Sequence, residues 1–350
     1  MQFIIAGFVL LLMKAFRSVN GLAVDKIATG ISEGKIRNVV VLTGAGVSSA
    51  AGIPDFRSPG GLYDTLRPEL LTATPAQKTM LKSDPTHVVS IDIFRQNQFP
   101  YLEVRRPFIL GTAEKRWKAT LSHYFFQILH DKGILRRIYS QNIDGLDQQT
   151  DIPQELISNV HGTLCQASCE FCQTSMSNEE FHDEIKSKIR NIYDSDDTTS
   201  PSISSNILCK SCLRPGIKPN TVLYGTQLPN SFFNNIKSDF PNHCDLLLVA
   251  GTSLTVSPAC DLVFQVSECT PRAVVDRNPV GMHLGLDYMS SNSRDMFFPG
   301  ECDVVFLELA CRLGWFDELY RLKDRMAAAS VKLLHETYNK LNQQLEEKSS

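Results

Sequence analysis

Three things are scarce in this 350-residue sequence: net charge, long apolar runs, and the glycine spacing of a dehydrogenase. Lys and Arg together number 35 and Asp and Glu 38, a formal net charge of −3. That balance argues against a protein held on nucleic acid by bulk charge. The apolar run Phe3 to Met13 falls short of the roughly 20 residues a membrane-spanning helix needs. It has the length of a signal's apolar region, yet no Lys or Arg precedes it, Lys14 and Arg17 follow it, and no small-x-small cleavage site stands behind it. A signal, a membrane-proximal anchor and a local buried helix all stay open for the N-terminal apolar segment, residues 1–30. The glycines at 44, 46 and 52 read Gly-x-Gly-x5-Gly, not Gly-x-Gly-x-x-Gly, which disfavours a dehydrogenase.

Hydrophobic content of 43% with 21% charged residues fits a globular protein with a substantial core. Asn38 to Thr43 is a continuous, β-branched apolar run ending at Gly44, the mark of a buried parallel strand. Similar runs are Leu135 to Ser140, Asp245 to Ala250, Arg272 to Asp276 and Val304 to Leu307. Strands of this kind separated by helical patterns predict an α/β fold with a mostly parallel sheet. The stretch from about 62 to 132 is helix-rich and reads as a module inserted into the sheet domain. A second insertion, about 162–219, carries paired cysteines. Within it, Asp194 to Ser205 is polar and low in complexity, which predicts a mobile loop. The tail 316–350 looks helical, with Leu319, Leu322, Met326, Ala329 and Leu333 stepping by three and four. It reads either as a helix packed back on the domain or as a self-association helix.

The candidate chemistry lies at strand ends. Gly44-Ala45-Gly46, followed by Ser48 and Gly52, lets backbone amides approach a phosphate. Ile53-Pro54-Asp55-Phe56-Arg57-Ser58-Pro59 then gathers an acid, an aromatic and a guanidinium in one loop, which reads as a ligand lid. Ser140-Gln141-Asn142-Ile143-Asp144 offers amide and carboxylate heads where open α/β sheets bind ligands. His161, beside Gly162, has the chemistry of a general base near neutral pH. Gly251-Thr252-Ser253 and Asp276 end two further strands and suit a ribose or phosphate.

Ten cysteines would suggest disulfides in a small secreted protein. Here Cys169-x2-Cys172 and Cys209-x2-Cys212 instead form two pairs suited to a tetrahedral zinc with no open position, a structural site.

In their order along the chain these segments resemble the sirtuin family, over about Ile36 to Trp315. The resemblance implies a Rossmann-like parallel sheet domain with an inserted small domain, a helical module plus a four-cysteine zinc ribbon, in a catalytic core of about 31–315. It implies an NAD-dependent protein lysine deacylase, yielding nicotinamide, O-acyl-ADP-ribose and free lysine. By similarity, Gly44, Ala45, Gly46, Ser48, Asp55, Phe56, Arg57, Gln141, Asn142 and Asp144 contact NAD. On the adenosine side the implied contacts are Gly251, Thr252, Ser253, Asp276, Asn278 and Cys302. His161, with Asn142 and Asp144, is the implied catalytic set, and His161 the general base. NAD is the implied co-substrate, zinc the structural metal and an acyl-lysine protein or peptide the partner. No sequence-specific nucleic acid binding is expected. The expected compartment is cytoplasmic or nuclear, with organellar or membrane-associated targeting left open by the N-terminal segment. Alternatives on the same site are a mono-ADP-ribosyltransferase and a non-catalytic NAD-sensing, peptide-binding module. Where relatives that take acidic acyl groups carry Tyr-x-x-Arg, this chain has Tyr101-Leu102-Glu103-Val104-Arg105-Arg106. The spacing differs, so the arginines read as a solvated helix face and neutral acyl groups as the preferred cargo.

Overall fold

The computed structural model describes residues 21–53, 61–194, 196–290 and 292–349. The apolar run Phe3 to Met13 and the candidate contacts Asp55, Phe56 and Arg57 lie outside the described residues. The frame is a six-stranded sheet of β1 (Val39–Thr43), β2 (Leu135–Ser140), β3 (Ile157–Asn159), β7 (Leu246–Ala250), β8 (Arg272–Asp276) and β9 (Asp295–Pro299). Its spatial order is β3-β2-β1-β7-β8-β9 and every pairing is parallel. A second, three-stranded antiparallel sheet holds β4 (Gly162–Cys169), β5 (Ser175–Met176) and β6 (Ile217–Thr221), in the order β5-β4-β6.

The helices among the described residues are α1 (Gly21–Ser32), α2 (Pro75–Ser83), α3 (Ile91–Gln96), α4 (Phe99–Ala113), α5 (Leu121–Asp131), α6 (Asn178–Lys188), α7 (Asn230–Asp239), α8 (Cys302–Leu313), α9 (Phe316–Arg321) and α10 (Ala328–Ser349). Side chains of a strand alternate between faces, and β1 shows why its sequence is apolar throughout. Val39 and Val41 enter a core with α1, α5, α8, α9 and α10, while Val40 and Leu42 enter a second core with Phe232 of α7. Each such fully buried Val or Leu contributes about 1.5–3 kcal/mol relative to exposure. A third core joins α2, α3, α4 and α6 to the small sheet. Leu121 to Leu129 of α5 pack with the large sheet, so the separately packed insertion ends before them.

Three sequence expectations are corrected here. Val304 to Leu307 is not a strand but part of α8, and the sheet's outer strand is Asp295–Pro299. Val305, Phe306, Leu309 and Ala310 form one helical stripe buried in the large core, and Gly314 in the left-handed region stops the helix. The tail is not one helix: α9 and α10 are separated at Met326, which is extended and buried, and the Ala327 N–H donates to Ala119 O. Leu334 and Leu341 of α10 are buried in this chain's own core. Two described residues of the acidic loop are tied to α4. Asp197 pairs with Arg106 at 3.4 Å, and Ser204 Oγ donates to Glu103 at 2.6 Å. Finally, Arg105 and Arg106 are not a solvated face. Both are 5% exposed, on a helix buried nearly all round. Arg106 Nε donates to Ile189 O at 2.9 Å. No helix among the described residues is long and apolar enough to cross a membrane.

Candidate active site

From β1 the chain steps outward through β2 to β3, and from β7 it steps the other way to β9. The reversal lies between β1 and β7, and open α/β sheets bind ligands outside the carboxyl ends of their strands at such a point. Both strands end in glycine there, at Gly44 and Gly251. Gly46 N–H donates to Gly251 O at 2.8 Å, and a Cβ on Gly46 would stand 2.5 Å from the Gly251 Cα. Only glycine permits that approach. The 3₁₀ segment Ala45–Ala51 is thereby held across the end of β7.

A cavity of about 880 Å³ opens at this point, within the size range of small-molecule sites. Gly44, Ala45, Gly46, Gln141, Asn142, His161, Gly251, Thr252, Ser253, Asp276, Asn278 and Cys302 all line it. Ser48 and Asp144 are joined to Asn142 through the Ser48 hydroxyl. Gln141 Nε2 donates to Thr252 Oγ1 at 2.9 Å and Asn142 Nδ2 to Gly44 O at 2.9 Å, tying the ends of β1, β2 and β7 together. Ser48 Oγ donates to Asp144 Oδ2 at 2.7 Å and lies 3.3 Å from Asn142 Nδ2. Burial raises the Asp144 carboxyl above its ordinary value, His123 pulls it back, and the like charge of Asp147 raises it again.

His161 stands where the chain leaves β3 of the large sheet and enters β4 of the small one. Its Nδ1 lies 2.9 Å from the Gln141 carbonyl. A carbonyl only accepts, so Nδ1 carries hydrogen, and in the neutral ring Nε2 is the basic nitrogen.

At the opposite end, Asp276 accepts the Asn278 N–H at 3.0 Å, and burial raises its carboxyl. Arg277 pairs with Glu301 at 2.5 Å on the rim. Cys302 opens α8, where burial pushes its thiol well up, so it is a packing group and not a nucleophile. The sequence reading missed Glu301 and Gly300, both of which line the cavity. Placing the last strand at Asp295–Pro299 would have found them, because they follow its end. It also missed Arg105, which enters the cavity wall from α4 and lies 6.0 Å from the Tyr101 ring centre. Arg105 in the wall corrects its reading as solvated, while the Tyr-x-x-Arg spacing still differs.

The four paired cysteines converge. Their sulfurs all lie within 4.8 Å of one another, with Cys169 to Cys212 at 3.6 Å and Cys172 to Cys209 at 3.5 Å. A tetrahedral zinc with bonds of about 2.3 Å separates its sulfurs by about 3.8 Å. The spacing fits that metal without rearrangement, and four thiolates leave no position for substrate.

The Sir2 family model matches residues 44–258. NAD-dependent protein deacetylase sirtuin-2 of Danio rerio is 35% identical over 323 residues, covering 87% of this chain and 75% of that protein. NAD-dependent protein deacetylase hst2 of Schizosaccharomyces pombe is 34% identical over 301 residues, covering 86% and 79%. NAD-dependent protein deacetylase sirtuin-3 of Mus musculus is 31% identical over 288 residues, covering 82% and 75%. On these matches, together with the parallel sheet and the cysteine cluster, the chain belongs to the Sir2 family.

Proposed function

We propose that the chain is an NAD-dependent protein lysine deacylase with His161 as its general base. The observation that carries this reading is the hydrogen bond from His161 Nδ1 to the Gln141 carbonyl at the cavity wall. It puts the hydrogen of the neutral ring on Nδ1, which makes Nε2 the basic nitrogen, and it couples the base to the same loop that presents Asn142.

NAD suits the cavity on three grounds. The glycine crossing brings bare backbone to a phosphate. Gln141, Asn142 and Thr252 supply polar heads beside it, and Asp276 and Asn278 supply polar groups for the adenosine end. Bound NAD supplies a ribose carbon from which nicotinamide departs, so that the acyl oxygen of the substrate can add there. The protein's own part is to hold and to move a proton. Gly44, Ala45, Gly46 and Ser253 line the path for the dinucleotide, and Asn142 is fixed by Gly44 O and Ser48. Asp144 is joined to Asn142 through Ser48. His161 removes a proton from a ribose hydroxyl. Asp55, Phe56 and Arg57 complete the pocket in this reading.

The substrates in this reading are acylated proteins; the relatives' names say protein deacetylase. The zinc, held by Cys169, Cys172, Cys209 and Cys212, serves structure. We also read the chain as a core of about 31–315 with its two insertions, followed by a tail whose α10 packs back on the core. Mass spectrometry of an acetyl-lysine peptide incubated with and without NAD tests the proposal. Free lysine, nicotinamide and O-acetyl-ADP-ribose are expected only with NAD. ADP-ribose attached to protein, with the acetyl group retained, would favour a transferase instead.

A further inference from the structure

The start of α5 joins parts of the chain that are far apart in sequence. Thr120 caps this helix and is fully buried. Its Oγ1 donates to Val47 O at 2.7 Å. His123 Nδ1, 2.8 Å from the same hydroxyl, already accepts the Thr120 N–H at 3.2 Å. The hydroxyl's one hydrogen therefore goes to the carbonyl. Val47 belongs to the 3₁₀ segment Ala45–Ala51, whose Ala45, Gly46 and Ser49 line the cavity. Gly46 ties that segment to the end of β7, and Thr120 ties it to α5.

A helix cannot satisfy its own first N–H groups. In α5 two of them go to side chains from α10 and α8. Leu121 N–H donates to Ser330 Oγ at 3.1 Å, and Ser122 N–H donates to Asp303 Oδ1 at 2.9 Å. Ser330 Oγ donates in turn to Asp303 Oδ2 at 2.5 Å, and Ser122 Oγ donates to Asp303 Oδ1 at 2.6 Å. Ser330 is fully buried and Asp303 is 7% exposed. Beside them the Ala327 N–H donates to Ala119 O at 2.9 Å. Asp303 follows directly on Glu301 and Cys302, which line the cavity together with Asp276 and Asn278. One run of buried contacts thus leads from the glycine segment through Thr120, Ser330 and Asp303 to the adenosine end of the cavity.

We propose that Thr120 is a positioning residue for the dinucleotide segment Ala45–Ala51, held in place by Ser330 of α10 and Asp303 of α8. The role rests on the deacylase reading above, which puts NAD in the cavity. A ligand that spans two seats binds best when their spacing is fixed beforehand, because no ordering cost is then met on binding. Three hydrogen bonds on the one carboxyl group of Asp303 fix the start of α5, and the Thr120 hydroxyl passes that position to the segment. None of these side chains needs to touch NAD.

The experiment is a calorimetric titration of NAD into the full-length protein without peptide. Melts of the NAD-free protein and the KM values for NAD and for an acetyl-lysine peptide accompany it. Thr120→Val keeps the shape of the side chain and removes the hydroxyl. Its Kd for NAD should rise about threefold to tenfold, the size of one neutral hydrogen bond. The KM for NAD should rise with it, while kcat and the KM for the peptide hold. Thr120→Ser restores the hydroxyl and should return the Kd to near the wild-type value, even if the lost methyl lowers the melting temperature. Ser330→Ala should weaken NAD in the same direction as Thr120→Val.

Weaker NAD binding in Thr120→Val with recovery in Thr120→Ser supports the role. A lowered melting temperature with an unchanged Kd makes Thr120 a structural residue only and overturns it. An unchanged Kd in Ser330→Ala overturns the part given to α10. If Thr120→Val does not fold, Ser330→Ala decides alone: a raised Kd supports the role and an unmoved one overturns it. A wild-type protein that binds NAD but does not deacylate the peptide refutes the deacylase reading, and the Kd comparison still decides this role. A wild-type protein that binds no NAD refutes both.

Discussion

The large sheet and the small one keep their shape by different means. The six-stranded sheet is buried on both faces, with β1 and β7 lined wholly by buried residues. The three-stranded sheet has a two-residue strand, β5, and an exposed cysteine at its metal cluster. It depends on four sulfurs around one point. The first sheet is stabilised by many small contributions; the second adds to its hydrophobic packing four cysteines gathered at one point. His161 and Gly162 form the joint between them.

The largest test of this contrast is to remove the metal. Cys169→Ala should lower bound zinc from one per chain to none, by elemental analysis. Structural zinc contributes about 10–16 kcal/mol to the folding of small modules. The melt should then split, with the parallel sheet unfolding separately from the zinc module. A single unchanged transition in zinc-free protein would show that the two sheets do not differ in this way.

Next in size is the joint's chemistry. His161→Phe should leave both sheets and the melting temperature nearly unchanged, yet reduce deacylation by about a hundredfold to ten-thousandfold. Near-normal turnover in that variant would sink its role as the base. The joint's geometry comes third. Gly162 has φ +79°, and a Cβ there would stand 1.9 Å from Asn220 O. Gly162→Ala should cost about 1–3 kcal/mol or more, seen as a lower melting temperature. The smallest effect is expected at Gly133, just before β2 of the large sheet. Its φ is +72°, but no atom lies within 4 Å of the added Cβ. Gly133→Ala should cost only the left-handed backbone term, about 1 kcal/mol. Equal losses at the two glycines would deny that crowding distinguishes the joint.

Much of this architecture was readable in advance because buried parallel strands are written as unbroken apolar runs. Four of the five expected strands stand where the sequence placed them, and the glycines at their ends mark the cavity. The fifth was misplaced for a local reason. Val304 to Leu307 is more strand-like in isolation than Asp-Met-Phe-Phe-Pro, and only the packing of Val305, Phe306, Leu309 and Ala310 on one helical face decides otherwise. Short β3 and the small sheet's strands carry too few residues for a pattern to show. The cysteine spacing announced a metal cluster without the intervening loop, because the ligands need only to meet in space. What stayed illegible was depth. Arg105 and Arg106 look solvated in a sequence, yet a helix buried on every side takes them in. Residue type reveals what a group can do, and only tertiary packing reveals which layer it occupies.

The seating of the glycine segment has a consequence for how the protein is made. The 3₁₀ segment Ala45–Ala51 rests against α10, and Leu121 N–H donates to Ser330 Oγ across 209 residues of chain. Arg312 reaches back across 287 residues to Asp25. A ribosome releases the early part of the pocket first. That part then waits for the segment that seats it, which emerges much later. A nascent chain therefore carries the outline of an NAD site long before it carries a working one, and premature termination within α8 or α9 leaves a product whose pocket lacks its support. The pocket is complete only after α10 has been made.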